Sequence, residues 1–225
     1  MLLCGAVVAL ACSGDSGPPT SDVVATIPWR ADESFSYRLE DDDGDATGSA
    51  VLEVDLVNGS TELTQRFAAG ANTDETVVAV DSATLKPQSA RREIRSSNEA
   101  ELIEVAYTPE GALIKQGERQ SGLAVPEHAY DNDTSLFLWR TIAFAEDYES
   151  SYVTIITNRR SRDTVTLRVT GRESVTVPAG TFDAWRLEIR SSNARQLAWY
   201  ADTPTRHLLR YDNDRGTIFV LETPP

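Results

Sequence analysis

Apolar and polar residues alternate along most of this chain, and that period of two is what most restricts its fold. Residues 175–212 are the clearest case. Val175 and Val177 alternate, and Pro178-Ala179-Gly180 turns the chain. Trp185, Leu187 and Ile189 then fall on one face, with Ala184, Arg186, Glu188 and Arg190 on the other. This is the pattern of a half-buried strand. Ser191-Ser192-Asn193 turns again, Leu197 and Trp199 are expected to continue the apolar face, and Asp202-Thr203-Pro204 ends that strand. Earlier stretches at 35–39, 52–56, 63–67, 76–81, 86–95, 101–107 and 112–117 repeat the pattern, as do later ones at 152–158, 164–176, 206–211 and 217–222. Asn58-Gly59 is a strong hairpin signal. A strand about every ten residues implies an all-β, mainly antiparallel fold: a strongly curved sheet or half-open barrel.

One segment breaks the alternation. Asp133 is a good N-cap, and Leu136, Trp139 and Ala143 follow at helical spacing. A short helix is predicted near 133–142, with Phe137, Leu138 and Trp139 placed to plug the open side of the sheet.

The chain also echoes itself. Glu-Ile-Arg-Ser-Ser-Asn occurs at 93–98 and again at 188–193, and at the same offset Thr108-Pro109 matches Thr203-Pro204 and Leu113 matches Leu208. Convergent turn chemistry explains a tripeptide more readily than a gapless hexamer with matches in register. Two pseudo-repeated halves, about 27–120 and 148–225, are therefore expected, joined by a helical segment at 131–147 within one β domain spanning 27–225.

Residues 2–11 are apolar and end in small residues before Cys12, and a Ser/Gly/Pro-rich stretch follows. A short apolar run of this kind is a secretion signal. With Cys12 directly after it, the segment resembles the lipobox of bacterial lipoproteins, although Ala9 stands where that family usually has Leu. The resemblance implies a signal peptide at 1–11, lipidation at Cys12 and a flexible tether over 12–26. The protein is then exported and membrane-anchored at the cell envelope, on its periplasmic or extracellular face. Cys4 lies in the leader, so the mature domain has no disulfide and no cysteine metal site.

Candidate chemistry is sparse. A net charge of −14 argues against nucleic acid as a partner. Gly14-Asp15-Ser16-Gly17 imitates a serine-protease signature, but it sits in the tether. Asp41, Asp43 and Asp45 have Ca²⁺-loop spacing, but Ala46 and Leu52 stand where such a loop needs Gly and Glu. His128 and His207 have no spacing partner for zinc or a nucleophile and are expected at the surface or at strand ends. No metal, cofactor or catalytic residue is predicted. Arg91, Arg92 and Arg95, with the equivalent Arg186 and Arg190, are expected to pair across strands with Glu93 and Glu188 rather than to form a basic stripe on the outward face.

The V-x-V-P-A-G-T-F-D-A-W-R pattern at 175–186 is followed by Trp199-Tyr200-Ala201 and Leu208-Leu209-Arg210-Tyr211. Together with D-N-D-T-S-L-F-L-W-R at 131–140, it resembles a family of bacterial exported β-rich proteins of unknown function, similar in architecture to periplasmic lipoprotein-carrier half-barrels. The resemblance implies a curved sheet that holds acyl chains. Trp139, Phe144, Phe182, Trp185 and Trp199 are then the expected lining of an apolar site, and the expected function is non-catalytic binding of an apolar or lipid-like ligand. An envelope protein–protein interaction module without a ligand is the alternative, and a hydrolase ranks last.

Overall fold

The computed structural model describes residues 18–57 and 59–224. The expected leader, Cys12 and the protease-like motif through Gly17 lie outside the described residues. Fifteen strands among these residues form one sheet. The first eight are β1 (Glu33–Glu40), β2 (Ala46–Val57), β3 (Ser60–Ala69), β4 (Asn72–Asp81), β5 (Pro87–Arg95), β6 (Ala100–Thr108), β7 (Gly111–Gln116) and β8 (Arg119–Leu123). After β9 (Ala129–Asp131) comes the short helix α1 (Ser135–Leu138), flanked by 3-10 turns at Asn132–Thr134 and Trp139–Thr141. The chain continues through β10 (Glu149–Ile156), β11 (Ser161–Val177), β12 (Gly180–Ser191), β13 (Ala194–Ala201), β14 (Leu208–Asp212) and β15 (Ile218–Leu221).

The strand order is β8-β7-β6-β5-β4-β3-β2-β1-β15-β14-β13-β12-β11-β10-β9. Neighbours are antiparallel except β9 and β10, which are parallel. The sheet is an open half-barrel, with β8 and β9 as its free edges. Its curl carries the turn after β10 across to the first half, where the Arg160 guanidinium donates to Gln116 Oε1 at the end of β7.

The internal echo is structural. Glu93 pairs with Leu102 and Glu188 with Leu197; Glu104 pairs with Lys115 and Trp199 with Arg210. Every residue of the second set lies 95 positions after its counterpart, so β5–β7 and β12–β14 are the same meander in the same register. The register parts only at Trp199/Tyr200, where β13 carries an irregularity.

Alternation places Tyr37, Leu52, Val54, Leu63, Val78, Ile103, Leu187, Ile189 and Tyr200 in the buried core. Against them α1 inserts Leu136, Phe137 and Leu138, all buried. The plug is held by polar atoms as well. Trp139 Nε1 donates to the Tyr152 hydroxyl at 2.9 Å, and the Tyr200 hydroxyl donates to the Leu136 carbonyl at 2.9 Å. Each such side chain contributes about 1.5–3 kcal/mol by burial, and the hydrogen bonds keep its polar tip satisfied.

Two expectations are corrected here. The tether predicted through residue 26 already docks on the domain at Thr20. Thr20 bridges Ser151 in parallel, Ser21 N–H donates to the Ser151 carbonyl, and Ala25 and Thr26 N–H both donate to the Thr141 carbonyl. The segment completes the edge of β10 that the three-residue β9 leaves bare, and it buries Val23 and Trp29. Leu197 and Trp199 do not continue the apolar face. The tight turn after β12 sets Arg190 opposite Arg195, so Leu197 and Trp199 fall opposite Glu188 and Arg186 on the convex face, while Ala198 and Tyr200 point inward.

Candidate functional site

The plug begins at a buried acidic corner. Asp131 ends β9 with no solvent exposure, and its Oδ1 accepts the Asp133 N–H at 2.9 Å, capping the first 3-10 turn. Its Oδ2 accepts the Tyr107 hydroxyl at 2.5 Å. Desolvation, reinforced by the neighbouring Asp133 charge, pushes Asp131 up to about 7 despite the hydrogen bond from Tyr107. Burial, with Asp131 alongside, pushes the Tyr107 phenol up. Asp133 is raised by desolvation and held back by Arg92 at 3.5 Å, and Arg92 also forks onto Asp74 at 2.9 and 2.5 Å. Both oxygens of Asp131 are occupied by protein donors, so this perturbed carboxylate ties the start of the plug to β6, while Asp133 ties it to β5 through Arg92.

Beside the plug lies a cleft in two parts. An inner chamber of about 250 Å³ is walled by Phe67, Trp139, Val165, Ile189, Tyr211 and Phe219, with Gln65 and Asp133 at its polar corner. Its aromatic wall is continuous: ring centroids are 5.9 Å apart for Trp139–Tyr211, 5.3 Å for Tyr211–Phe219 and 5.7 Å for Phe67–Phe219. Asn132, Asp133, Ile156, Asp163, Gln196 and Tyr211 also line an outer mouth of about 590 Å³, where the side chains turn polar. Arg159, Arg162 and Arg215 stand at this mouth, with Asn158, Asn193 and Asn213. The cleft therefore grades from apolar to cationic at the junction of the two halves.

The five predicted aromatics do not converge. Trp139 lines the inner chamber. Phe144 stacks on Trp185 at 5.9 Å and tilts against Tyr200 at 5.7 Å. Trp185 donates Nε1–H to Asp202 at 2.8 Å and carries the Arg172 guanidinium 3.8 Å above its ring. Phe182 meets His207 edge-on at 5.8 Å. Trp199 donates to Glu173 at 2.5 Å on the convex face. Four of the five are thus packing residues or lie on the outside. Reasoning from sequence missed Phe67 and Tyr211, and it counted Phe219 among the second-half aromatics without placing it in the lining. Counting aromatics by half could not find Phe67, which reaches the chamber from β3; parity on β14 and β15 was the available signal for the other two.

His207, expected at the surface or a strand end, is buried, stacked on Phe35 at 5.8 Å. Desolvation and the nearby Arg140 charge lower it to about 4, so it is neutral. Asp41 Oδ1 accepts the N–H groups of Asp43 and Asp45 and organises the acidic hairpin loop from within. Among the described residues no cluster of three or more His, Cys, Asp or Glu is placed to hold a metal ion.

A plugged, open half-barrel with a graded cleft is the class of protein that this geometry defines. The model of a family described as a protein of unknown function, DUF3108, matches residues 30–221, and the chain belongs to that family. A solved β-barrel-like protein of the domain of unknown function DUF1849 from Brucella abortus is similar at 10% identity with a TM-score of 0.56, covering 88% of this chain and 98% of that one. At that identity the likeness shows the fold alone. A candidate lipoprotein from Parabacteroides distasonis matches at 15% identity with a TM-score of 0.35, covering 91% of this chain and 99% of that one. A candidate exported protein with a YmcC-like fold from Bacteroides fragilis matches at 12% identity and 0.31, covering 89% and 98%. No curated protein matches at a significant level.

Proposed function

We propose that this protein is a non-catalytic, exported lipoprotein that binds an apolar or lipid-like ligand in the cleft beside its plug. The observation that carries this reading is the aromatic wall of Trp139, Tyr211 and Phe219, which backs a chamber that opens to solvent through a polar mouth. Ligand sites commonly combine apolar walls with a few placed polar groups, in volumes of roughly 300–1,000 Å³. The inner chamber lies just below that range, so it suits one short chain or ring. The resemblance implied a curved sheet that holds acyl chains; Tyr37, Tyr152 and Tyr200 are buried as core rather than as lining of a larger cavity, so the chamber is offered to one chain.

Attachment through Cys12 fits the same picture. Eight residues from Cys12 to the docked Thr20 span at most about 28 Å when extended, which would hold the cleft close to a membrane surface. The test is native mass spectrometry of the purified protein, with solvent extraction of whatever co-purifies. A discrete adduct that extracts as an amphiphile and is lost in Trp139→Ala is expected. A clean apo mass, unchanged after incubation with membrane lipids, sinks the proposal. One feature favours a second reading, an interaction module: β8 is paired on one side only, and Leu113 on adjacent β7 is 44% exposed on the convex face.

A further inference from the structure

We infer that the cleft takes an anionic amphiphile, with a single apolar chain or ring against Trp139, Tyr211 and Phe219 and an anionic head held at the mouth by Arg159, Arg162 and Arg215. This rests on the cleft reading above and adds the charge of its ligand.

The argument starts from the chain's net charge of −14. In so acidic a protein guanidiniums readily find carboxylates, and ten of the nineteen arginines do. Arg38, Arg66, Arg91, Arg92, Arg95, Arg140, Arg172, Arg186, Arg190 and Arg195 each have one within 4 Å. Arg159, Arg162 and Arg215 are exposed and have no such partner among the described residues, yet all three line one concavity. The two carboxylates in that mouth are already used. Asp133 faces Arg92, and Asp163 accepts the N–H of Thr164 at 2.8 Å and both the N–H and the hydroxyl of Ser192 at 3.1 and 2.6 Å. The mouth is therefore a net cationic rim around an apolar chamber. Planar guanidinium forks match the paired oxygens of a carboxylate or phosphate, and such charge-assisted bonds are about twice as strong as neutral ones. A cationic head would be repelled there, and a neutral one would leave the rim unused.

The test is calorimetric titration of the full chain with dodecyl phosphate, dodecanoate, dodecanol and inorganic phosphate, each below its micellar concentration. Both anionic amphiphiles are expected to bind about tenfold or more tightly than dodecanol, given charge-assisted pairing at the rim. Raising the salt should shrink that advantage. The R159Q/R162Q/R215Q variant should abolish it with no change in melting temperature, because all three side chains are exposed. Tighter binding of dodecyl phosphate than of dodecanoate assigns a lipid phosphate head, the reverse assigns a free fatty-acid type, and either supports the inference. Equal affinity for dodecanol and the anions, unmoved by the triple variant, overturns the anionic head and leaves the cleft reading standing. Inorganic phosphate binding as tightly as dodecyl phosphate overturns the amphiphile. Binding of none of the four overturns both readings.

Discussion

Tyr107 on β6 donates its hydroxyl to Asp131, a carboxylate with no solvent exposure at the entrance to the plug, at 2.5 Å. Desolvation lifts Asp131 to about 7 in the folded protein, against about 3.9 when unfolded. The folded state therefore holds a proton between roughly pH 4 and 7 that the unfolded chain has released. This contribution to stability is complete below pH 4 and is lost as the pH rises to 7. Asp131→Asn should remove that slope in urea titrations run across the window. Tyr107→Phe removes a donor that favours the carboxylate, so it should cost about 1–3 kcal/mol at pH 8 and less at pH 5. Equal losses at both pH values would contradict the assignment.

His207 acts in the opposite direction. It is buried and neutral, and its Nε2 has no hydrogen-bond partner. With a folded value of about 4, below the ordinary value of about 6.5, its contribution is present above pH 6.5 and is lost as the pH falls toward 4. The two groups oppose each other in the same window. In the Asp131→Asn background stability should therefore fall on acidification, and adding His207→Phe should flatten the curve again. A double variant as acid-labile as Asp131→Asn would show that another group is responsible.

Arg140 bridges the plug to β1 and to the loop before β14. It is 3% exposed and pairs with Glu33, and it donates to the Arg206 carbonyl at 3.1 Å and the Thr205 carbonyl at 2.8 Å. Replacing it leaves two carbonyls and a partly buried carboxylate unpartnered. Arg140→Met should cost roughly 3–5 kcal/mol, the usual range for breaking a buried pair. Arg140→Lys should recover less than half, since an ammonium cannot reproduce the fork. Denaturant unfolding measures both, and a Lys variant of wild-type stability would show that the charge alone matters.

The repeated hexamer makes an internal control. Glu188 is 3% exposed beneath Arg190 and Arg195, each with a bond of 2.6 Å to it. Desolvation raises Glu188, but the two guanidiniums outweigh it and hold the carboxyl low. Its contribution is therefore present at neutral pH and is lost on acidification below the ordinary glutamate value. R190M/R195M keeps the apolar cover but strands the carboxylate, and should cost about 1–3 kcal/mol. The equivalent R91M/R95M, around the more accessible Glu93 and two exposed guanidiniums, should leave the melting temperature unchanged, because solvent-screened pairs contribute little. Similar losses in the two would mean that the halves are energetically alike.

That pair also marks what the sequence could carry. Alternation exposed thirteen of the fifteen strands, because one-sided burial writes itself as period two. It hid β8, whose Arg-Gln-Ser-Gly-Leu carries a single apolar residue, because this edge strand only half-buries Ser121 and Leu123 and exposes the rest. It also hid β9, three residues buried on both sides within an acidic stretch. The hexamer was visible as text, but the different burial of its two glutamates depends on what covers each convex face. The site was less legible still. Trp139 was found because its spacing is helical, whereas Trp199 was placed inside by continuing an apolar run across a turn whose register inverts it. The cationic mouth gathers Arg159 from the turn after β10, Arg162 from the start of β11 and Arg215 from the turn between β14 and β15, and no local pattern announces such a meeting.

The free edge offers the last test. Gly111 opens β7 at φ +140°, and a Cβ there would sit 2.5 Å from the Leu123 carbonyl oxygen at the end of β8. An L side chain meets both the strained backbone and that oxygen, and the neighbour in the way is main chain, which cannot swing aside as a rotamer does. Gly111→Ala should therefore push β8 off β7. Because β8 is bonded on one side only and buries little, the damage should stay local. Hydrogen exchange should accelerate across Arg119–Leu123, while the amides of β12 and β13 keep their protection and the cleft keeps its ligand affinity. If the whole sheet loses protection together, β8 is an integral part of the cooperative fold; if only β8 does, the edge can come free while the plugged half-barrel and its cleft stay intact.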